Sequence, residues 1–238
     1  MTPDEWTYDT ASDLDKSLEE RLKNFPREPD MTMYVLRSLA ALVLRLWLKM
    51  YHRLHIDGRE HLPTDGSFIV IANHASHLDA LALVSALPLR KLHRTFPAAA
   101  ADYFFSSIAG SAFAAIVINA LPFNRRIRAN QSLALCKGLL ANEGNVLVIF
   151  PEGTRSPSGE LGEFKLGIAH LAGGTETPIV PCYLSGAARA WPKGAWIPRP
   201  RKLTLTISAP RTYPNPVESK ADKRAMADDL RQAVSDLA

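Results

Sequence analysis

The chain has 238 residues, enough for one sizeable core and too few for a convincing second domain. Hydrophobic residues make up 47% and charged residues 22%, the ordinary balance of a soluble globular protein. Lys plus Arg number 28 against 24 Asp plus Glu; this net charge of +4 suits anionic lipid or phosphate substrates and is too small and dispersed to argue for nucleic acid.

The opening stretch, Met1 to Glu20, is acidic and polar rather than signal-like, so an intracellular, reducing compartment is expected. Ala11 to Asn24 reads as a short polar helix, broken by Arg27-Glu28-Pro29-Asp30, where proline removes a donor and restricts its predecessor. Asp30 can cap the next helix, Met31 to Leu54. That segment is apolar except for Arg37, Arg45, Lys49, His52 and Arg53, which fall in an arc of roughly 160° at helical spacing. A membrane-spanning helix would place Arg45 inside hydrocarbon, at about 2.5–3.5 kcal/mol for a central charge. A helix lying in the interface keeps its charges wet and inserts its apolar side, Leu44 and Leu48 included, and this reading is preferred. A helix packed on the soluble core and a tilted span with snorkelling charges are the alternatives.

Beyond Leu54 the pattern alternates. Apolar, β-branched runs occur at Ser67–Ala72, Ala115–Leu121, Asn145–Phe150, Pro178–Leu184 and Lys202–Ser208. Helical patterns occupy Asp79–Leu87, Asp102–Ala112 and Ala129–Asn142. The expected fold is α/β: a single domain with a mostly buried central sheet flanked by helices, preceded by the N-terminal interfacial helix. Residues 1–54 form the membrane-associating segment in this reading, and 55–238 the α/β domain. Trp191 to Pro200 reads as a loop, and Ser219 to Leu237 as an amphipathic helix carrying Met226, Leu230, Val234 and Leu237 on one face. Cys136 and Cys182 sit in apolar stretches away from any Cys/His cluster and are read as reduced core residues. No metal-ligand cluster is visible, and neither metal nor cofactor is expected.

Two segments carry candidate chemistry. Asn73-His74-Ala75-Ser76-His77-Leu78-Asp79 closes a buried strand and opens a helix. On a continuous helix His74 and Asp79 would lie about 140° apart, but across a strand-to-helix turn they can meet. Asp79 would then fix the imidazole tautomer and leave the other ring nitrogen basic, ready to deprotonate a hydroxyl. A capping or surface hydrogen bond is the plainer alternative. Phe150-Pro151-Glu152-Gly153-Thr154-Arg155 follows another buried strand. Gly153 permits close backbone approach, Thr154 offers a hydroxyl, and Arg155 a planar fork suited to phosphate. The plainer alternative there is a charged turn with Glu152 paired to Arg155. His77 lacks a nearby third ligand and reads as helix-face or site-rim packing. No serine lies in a Gly-x-Ser-x-Gly elbow.

These two segments, in this order, resemble the first (Asn-His-x4-Asp) and third (Phe-Pro-Glu-Gly-Thr-Arg) motifs of the glycerolipid acyltransferases of the lysophosphatidate, PlsC-like type. Leu121-Pro122-Phe123-Asn124-Arg125 and Pro178-Ile179-Val180-Pro181 resemble the second and fourth, and the resemblance spans about Leu54 to Pro210. It departs from the family where a lysine-rich run often precedes the second motif: here the stretch reads Ala98-Ala99-Ala100-Ala101-Asp102.

The resemblance implies an O-acyltransferase moving a fatty acyl group from acyl-CoA or acyl carrier protein, as co-substrate, to a lysophospholipid, first of all 1-acylglycerol 3-phosphate. His74 would be the general base and Asp79 its orienting partner. Arg155, with Gly153, Thr154 and Arg125, would hold the acceptor's phosphate, and Glu152 would shape that site by orienting Arg155 or an acceptor hydroxyl. Val180 and Pro181 would line the acyl-donor or acyl-chain region. The implied partners are lipid substrates, an acyl thioester, a membrane surface at the cytoplasmic face and acyl carrier protein. Another lysolipid or glycerol 3-phosphate as acceptor, a thioester hydrolase, and a non-catalytic lipid-binding module are the competing readings.

Overall fold

A computed structural model describes residues 31–100, 121–123, 129–156, 158–192 and 194–238. The helices expected at Ala11–Asn24 and Asp102–Ala112, and the strand expected at Ala115–Leu121 up to its last residue, lie outside these residues.

The described chain runs α1 (Met31–Tyr51), β1 (His55–Asp57), β2 (Phe68–Ala72), α2 (Leu78–Ala86), β3 (Thr95–Ala100), β4 (Leu121–Phe123), α3 (Ala129–Ala141), β5 (Val146–Ile149), α4 (Gly167–Ala172), β6 (Thr175–Ser185), α5 (Ala187–Ala190), β7 (Thr204–Ile207), β8 (Arg211–Tyr213) and α6 (Lys220–Ser235). Short 3-10 turns occupy Arg59–His61 and Leu89–Arg94. The strands form one sheet in the order β1-β7-β6-β2-β5-β3-β4, with β8 added to β6. The central neighbours β6, β2, β5 and β3 are all parallel, while β7 and β8 run antiparallel to β6. The α/β fold read from the sequence is the fold observed.

Period-two alternation sorts the strand residues into two cores. Phe68, Val70, Val146, Val148, Val180 and Leu184 face one layer, with α1, α2 and α5. Ile69, Ile71, Leu147 and Ile179 face the other, with α3, α4 and α6. Every residue of β2 is buried, as expected for a strand covered on both faces. Phe68 is wholly inaccessible, so its truncation to alanine would cost about 3–5 kcal/mol. The last helix starts on a capping box: Asp222 N–H donates to Ser219 Oγ at 3.0 Å, and Ser219 N–H to the Asp222 carboxylate at 3.1 Å. Its Met226, Leu230 and Val234 are buried, on the face the spacing predicts.

The sequence reading missed β1, β3, β8, α4 and α5, all short elements that depend on neighbours more than on local pattern. It also placed Leu44 and Leu48 on the outward apolar side of α1, whereas the structure buries both. The expected helix runs to Tyr51 and then turns at Arg53, which has a φ of 48°. Its interior face, however, carries Arg37, Ala41, Leu44 and Leu48. Arg37 is only 7% exposed and lies 3.4 Å from His93 Nδ1, and an Arg45 guanidinium nitrogen donates to the Leu87 carbonyl. Polar partners on the 3-10 turn and at the end of α2 thus draw part of the basic arc inward. The exposed side is a stripe of Val35, Leu36, Leu39, Leu42, Val43, Leu46 and Met50. Among the described residues no helix is long and apolar enough to cross a membrane.

Candidate active site

The two motif loops meet because their strands are neighbours in register. β2 and β5 pair in parallel, with Ile71 opposite Ile149. Both chains therefore leave the sheet at the same edge, where ligands of open α/β sheets bind. Asn73 secures one exit: its amide donates to the Leu184 carbonyl at 3.1 Å and accepts from the Leu184 N–H at 2.8 Å, extending the β2–β6 pairing by one side chain.

His74 follows, held on four sides. Its N–H donates to Glu152 Oε1 at 2.6 Å, and its carbonyl accepts from Ser156 N–H at 2.7 Å. Its ring stacks on Phe150, centroids 4.1 Å apart and planes within 16°. Its Nδ1 lies 2.9 Å from Asp79 Oδ2. The same Asp79 oxygen accepts the N–H groups of Ala75 at 2.6 Å and Ser76 at 2.8 Å, which closes the turn into α2. Asp79 is wholly buried, and three donors converge on one of its oxygens. A carboxylate can only accept, so Nδ1 carries the proton and Nε2 is left as the basic nitrogen. The imidazole keeps 17% of its side-chain surface exposed, enough for a reactant to reach it.

Glu152 is buried, and both of its oxygens are engaged by backbone: Oε1 by His74 N–H, Oε2 by Gly162 N–H at 3.0 Å. Burial pushes its carboxyl above the ordinary range, opposed by those two hydrogen bonds. This glutamate is a clasp between the two loops. Arg155 instead directs a guanidinium nitrogen to His77 Nε2 at 2.6 Å. His77, read from sequence as helix-face or site-rim packing, is therefore the acceptor that aims Arg155. Burial first, then the charge of Arg155 and the nearby His74, lower its pKa to about 4, so at neutral pH it is uncharged and able to accept.

Gly153 has a φ of 71°, where a side chain is strained, and an added Cβ would come within 2.6 Å of Lys165 Nζ. Lys165 is anchored by its N–H to the Pro151 carbonyl at 2.9 Å, so a second cation lies over the turn that carries Arg155. The sequence reading overlooked Lys165, ten residues beyond Arg155; its only signal is a lone cation closing a glycine-rich loop. Thr154 is exposed on the same turn. Val180 and Pro181 are buried in β6 opposite Val70 and Ile71, with Val180 in the core beneath α2. Arg125 lies outside the described residues. Among the described residues no group of His, Cys, Asp or Glu could hold a metal ion, and both cysteines are buried free thiols.

The arrangement can do two things chemically. It offers a basic nitrogen, Nε2 of His74, oriented by a buried carboxylate. It also offers a cationic turn, bearing Arg155 and Lys165, on the adjacent strand exit.

The chain is also similar to known proteins. The family model described as Acyltransferase matches residues 53–185. A 1-acyl-sn-glycerol-3-phosphate acyltransferase of Limnanthes alba is 32% identical over 157 residues, covering 66% of this chain and 54% of that protein. The human 1-acyl-sn-glycerol-3-phosphate acyltransferase alpha is 30% identical over 190 residues, covering 76% of this chain and 62% of that one. The chain thus spans only about half to three-fifths of the length of these relatives. The crystal structure of the 1-acyl-sn-glycerophosphate (LPA) acyltransferase PlsC from Thermotoga maritima superposes with a TM-score of 0.64 at 26% identity, covering 86% of this chain and 79% of that one.

Proposed function

We propose, from the premise that this chain belongs to the acyltransferase family, that it transfers a fatty acyl group from an acyl thioester to the free hydroxyl of 1-acylglycerol 3-phosphate. The observation that carries the reading is the His74–Asp79 pair, set beside a cationic turn by one parallel strand pairing. The acceptor hydroxyl attacks the thioester carbonyl as His74 Nε2 takes its proton. A tetrahedral intermediate forms, the carbon–sulfur bond breaks, and the protonated His74 returns the proton to the departing thiolate. Asp79 orients the ring and stabilises the imidazolium. Arg155, aimed by His77, and Lys165 hold the acceptor phosphate, and Gly153 lets it approach the backbone. Glu152 keeps the two loops in register. The donor is acyl-CoA or the acyl thioester of acyl carrier protein, and the chemistry asks for no cofactor.

Both the lysolipid and its product live in a bilayer, so the site must be brought to that surface. The exposed stripe of α1 supports a peripheral or monotopic attachment at the cytoplasmic face, with α1 lying in the interface.

The decisive test is thiol release from a palmitoyl or oleoyl thioester, with lysophosphatidate present or omitted. Acceptor-dependent release with a two-chain phosphatidate product is expected. Release without acceptor would identify a thioester hydrolase instead. Activity confined to another lysolipid or to glycerol 3-phosphate would change the acceptor and keep the mechanism. No release with any acceptor would leave a lipid-binding module.

A further inference from the structure

Between α1, the end of α2 and the start of β1 lies a cavity of about 310 Å³ lined by Arg45, Lys49, Leu54, Ile56, Arg59 and Ser85. Three of these six residues are cationic and none is acidic. Arg45 spends one terminal nitrogen on the Leu87 carbonyl, but its Nε is buried with no hydrogen-bond partner among the described residues. A buried donor left unmade is unfavourable, so an acceptor entering the cavity would be held there, and the three cations favour one that is anionic. Burial, followed by the charge of Arg59, lowers the Arg45 pKa, as expected where like charges gather without a counter-ion.

The cavity is separate from the His74 site. Ser85 lies six residues along α2 from Asp79, about 9 Å of helix rise. β1 stands three strand spacings from β2, about 14 Å across the sheet. The cavity instead adjoins the membrane-facing stripe. At helical spacing Arg45 and Lys49 occupy the flank beside Leu42 and Leu46, both exposed.

We propose that this cavity is a second lipid site, which holds the phosphate of an anionic bilayer phospholipid between Arg45, Lys49 and Arg59 while its acyl chains follow the Leu42–Leu46–Met50 stripe. A phosphate with part of a glycerol fits the volume, at the lower end of small-molecule sites. Leu54 and Ile56 offer apolar wall to the glycerol backbone, and the adjoining stripe favours a lipid over free phosphate. The site would tether α1 to anionic membrane independently of the substrate. It rests on reading the α1 stripe as the bilayer face and does not depend on the acyl-transfer chemistry.

The test uses the full chain and vesicles of phosphatidylcholine, with or without about one-third phosphatidylglycerol. Lys49→Gln/Arg59→Gln is compared with Lys137→Gln/Lys220→Gln, which removes the same charge from exposed positions on α3 and α6, beyond the sheet. Arg45 is left in place because it also caps α2. The cavity pair is expected to lose about 30-fold in the affinity gained from phosphatidylglycerol, on the scale of two cations held at an anionic surface, while the distant pair keeps that gain. Soluble dihexanoyl phosphatidylglycerol should bind wild type saturably at one site, lost in Lys49→Gln/Arg59→Gln and retained in His74→Ala. Equal losses in the two pairs would mean diffuse attraction and overturn the proposal. So would absence of saturable lipid binding, or inorganic phosphate binding as tightly as the lipid. Failure of wild type to bind neutral vesicles would instead sink the stripe reading, and this proposal with it; the phosphatidylglycerol increment isolates the cavity.

Discussion

The main-chain N–H of His74 donates to the Glu152 carboxylate at 2.6 Å, joining two loops whose residues are 78 positions apart in the chain. The bond fixes the backbone of the histidine rather than its ring. It couples the position of Nε2 to the turn that carries Arg155, because the other oxygen of Glu152 is held by Gly162 N–H.

Glu152→Gln keeps the shape but leaves one oxygen to serve two donors. The expected loss is about 1–3 kcal/mol of stability, from one unsatisfied buried N–H. Turnover should fall about tenfold to a hundredfold as His74 drifts from its attack geometry. Denaturant midpoints and steady-state rates on the same preparations check this. A variant with full turnover would show that the clasp does not position the base.

His74→Ala should reduce acceptor-dependent thiol release by about a thousandfold or more, the scale of a lost general base in a pre-oriented pair. Asp79→Asn should cost nearly as much, because an amide can present its nitrogen to His74 and favour the wrong tautomer. Vesicle binding should be unchanged for His74→Ala. Retention of most of the rate by His74→Ala would end the general-base mechanism.

Arg155→Ala should raise the KM for lysophosphatidate about 10- to 100-fold with a smaller change in kcat, since a lost charge-assisted hydrogen bond acts on the bound phosphate. Lys165→Gln should act in the same direction more weakly. Acceptor titrations at saturating thioester separate the two constants. A fall in kcat with unchanged acceptor saturation would remove Arg155 from the phosphate site.

His77 links stability to pH. Its folded pKa, lowered to about 4, lies below its ordinary value near 6.5. Between those values the unfolded chain binds the extra proton, so stability rises with pH across the window. The contribution is fully present above about 6.5 and is lost as pH falls through about 4. Its size is about 2 kcal/mol, after allowance for the ring's partial exposure. His77→Gln can still accept from Arg155 but cannot titrate. Denaturant midpoints at pH 7.5 and 4.5 should show a smaller acid loss in His77→Gln than in wild type; equal losses would assign the acid sensitivity elsewhere.

Leu46 and Leu44 are two residues apart on α1 and face opposite ways. Leu46 is 59% exposed, whereas Leu44 is buried against α2. Leu46→Glu should leave the fold intact and lower vesicle affinity about tenfold or more. Leu44→Glu should destabilise the protein by several kcal/mol, because it buries an unpaired carboxyl. Co-sedimentation and thermal melts distinguish the outcomes. Unchanged vesicle binding in Leu46→Glu would mean that the stripe does not meet the bilayer.

The local chemistry and the layer plan are legible in the amino-acid order alone. Unbroken apolar runs in Phe68–Ala72 and Val146–Ile149 mark strands buried on both faces, and the His74-to-Asp79 spacing across a strand exit marks an oriented base. These features are legible because they are contiguous or short-range. Tertiary structure decided the rest. The β2–β5 register set the two motif loops side by side, and with them the contacts of Glu152 with His74 and of Arg155 with His77. A carboxylate's partner depends on which donors the fold brings within 3 Å, and spacing along the chain does not encode that distance. The orientation of α1 was likewise settled in three dimensions. Apolar residues fill most of the helix outside the basic arc, a wider face than one packing surface needs, so periodicity left the buried part ambiguous. The choice fell to the polar groups, since Arg37 and Arg45 found partners at His93 and the Leu87 carbonyl and turned the leucine stripe outward.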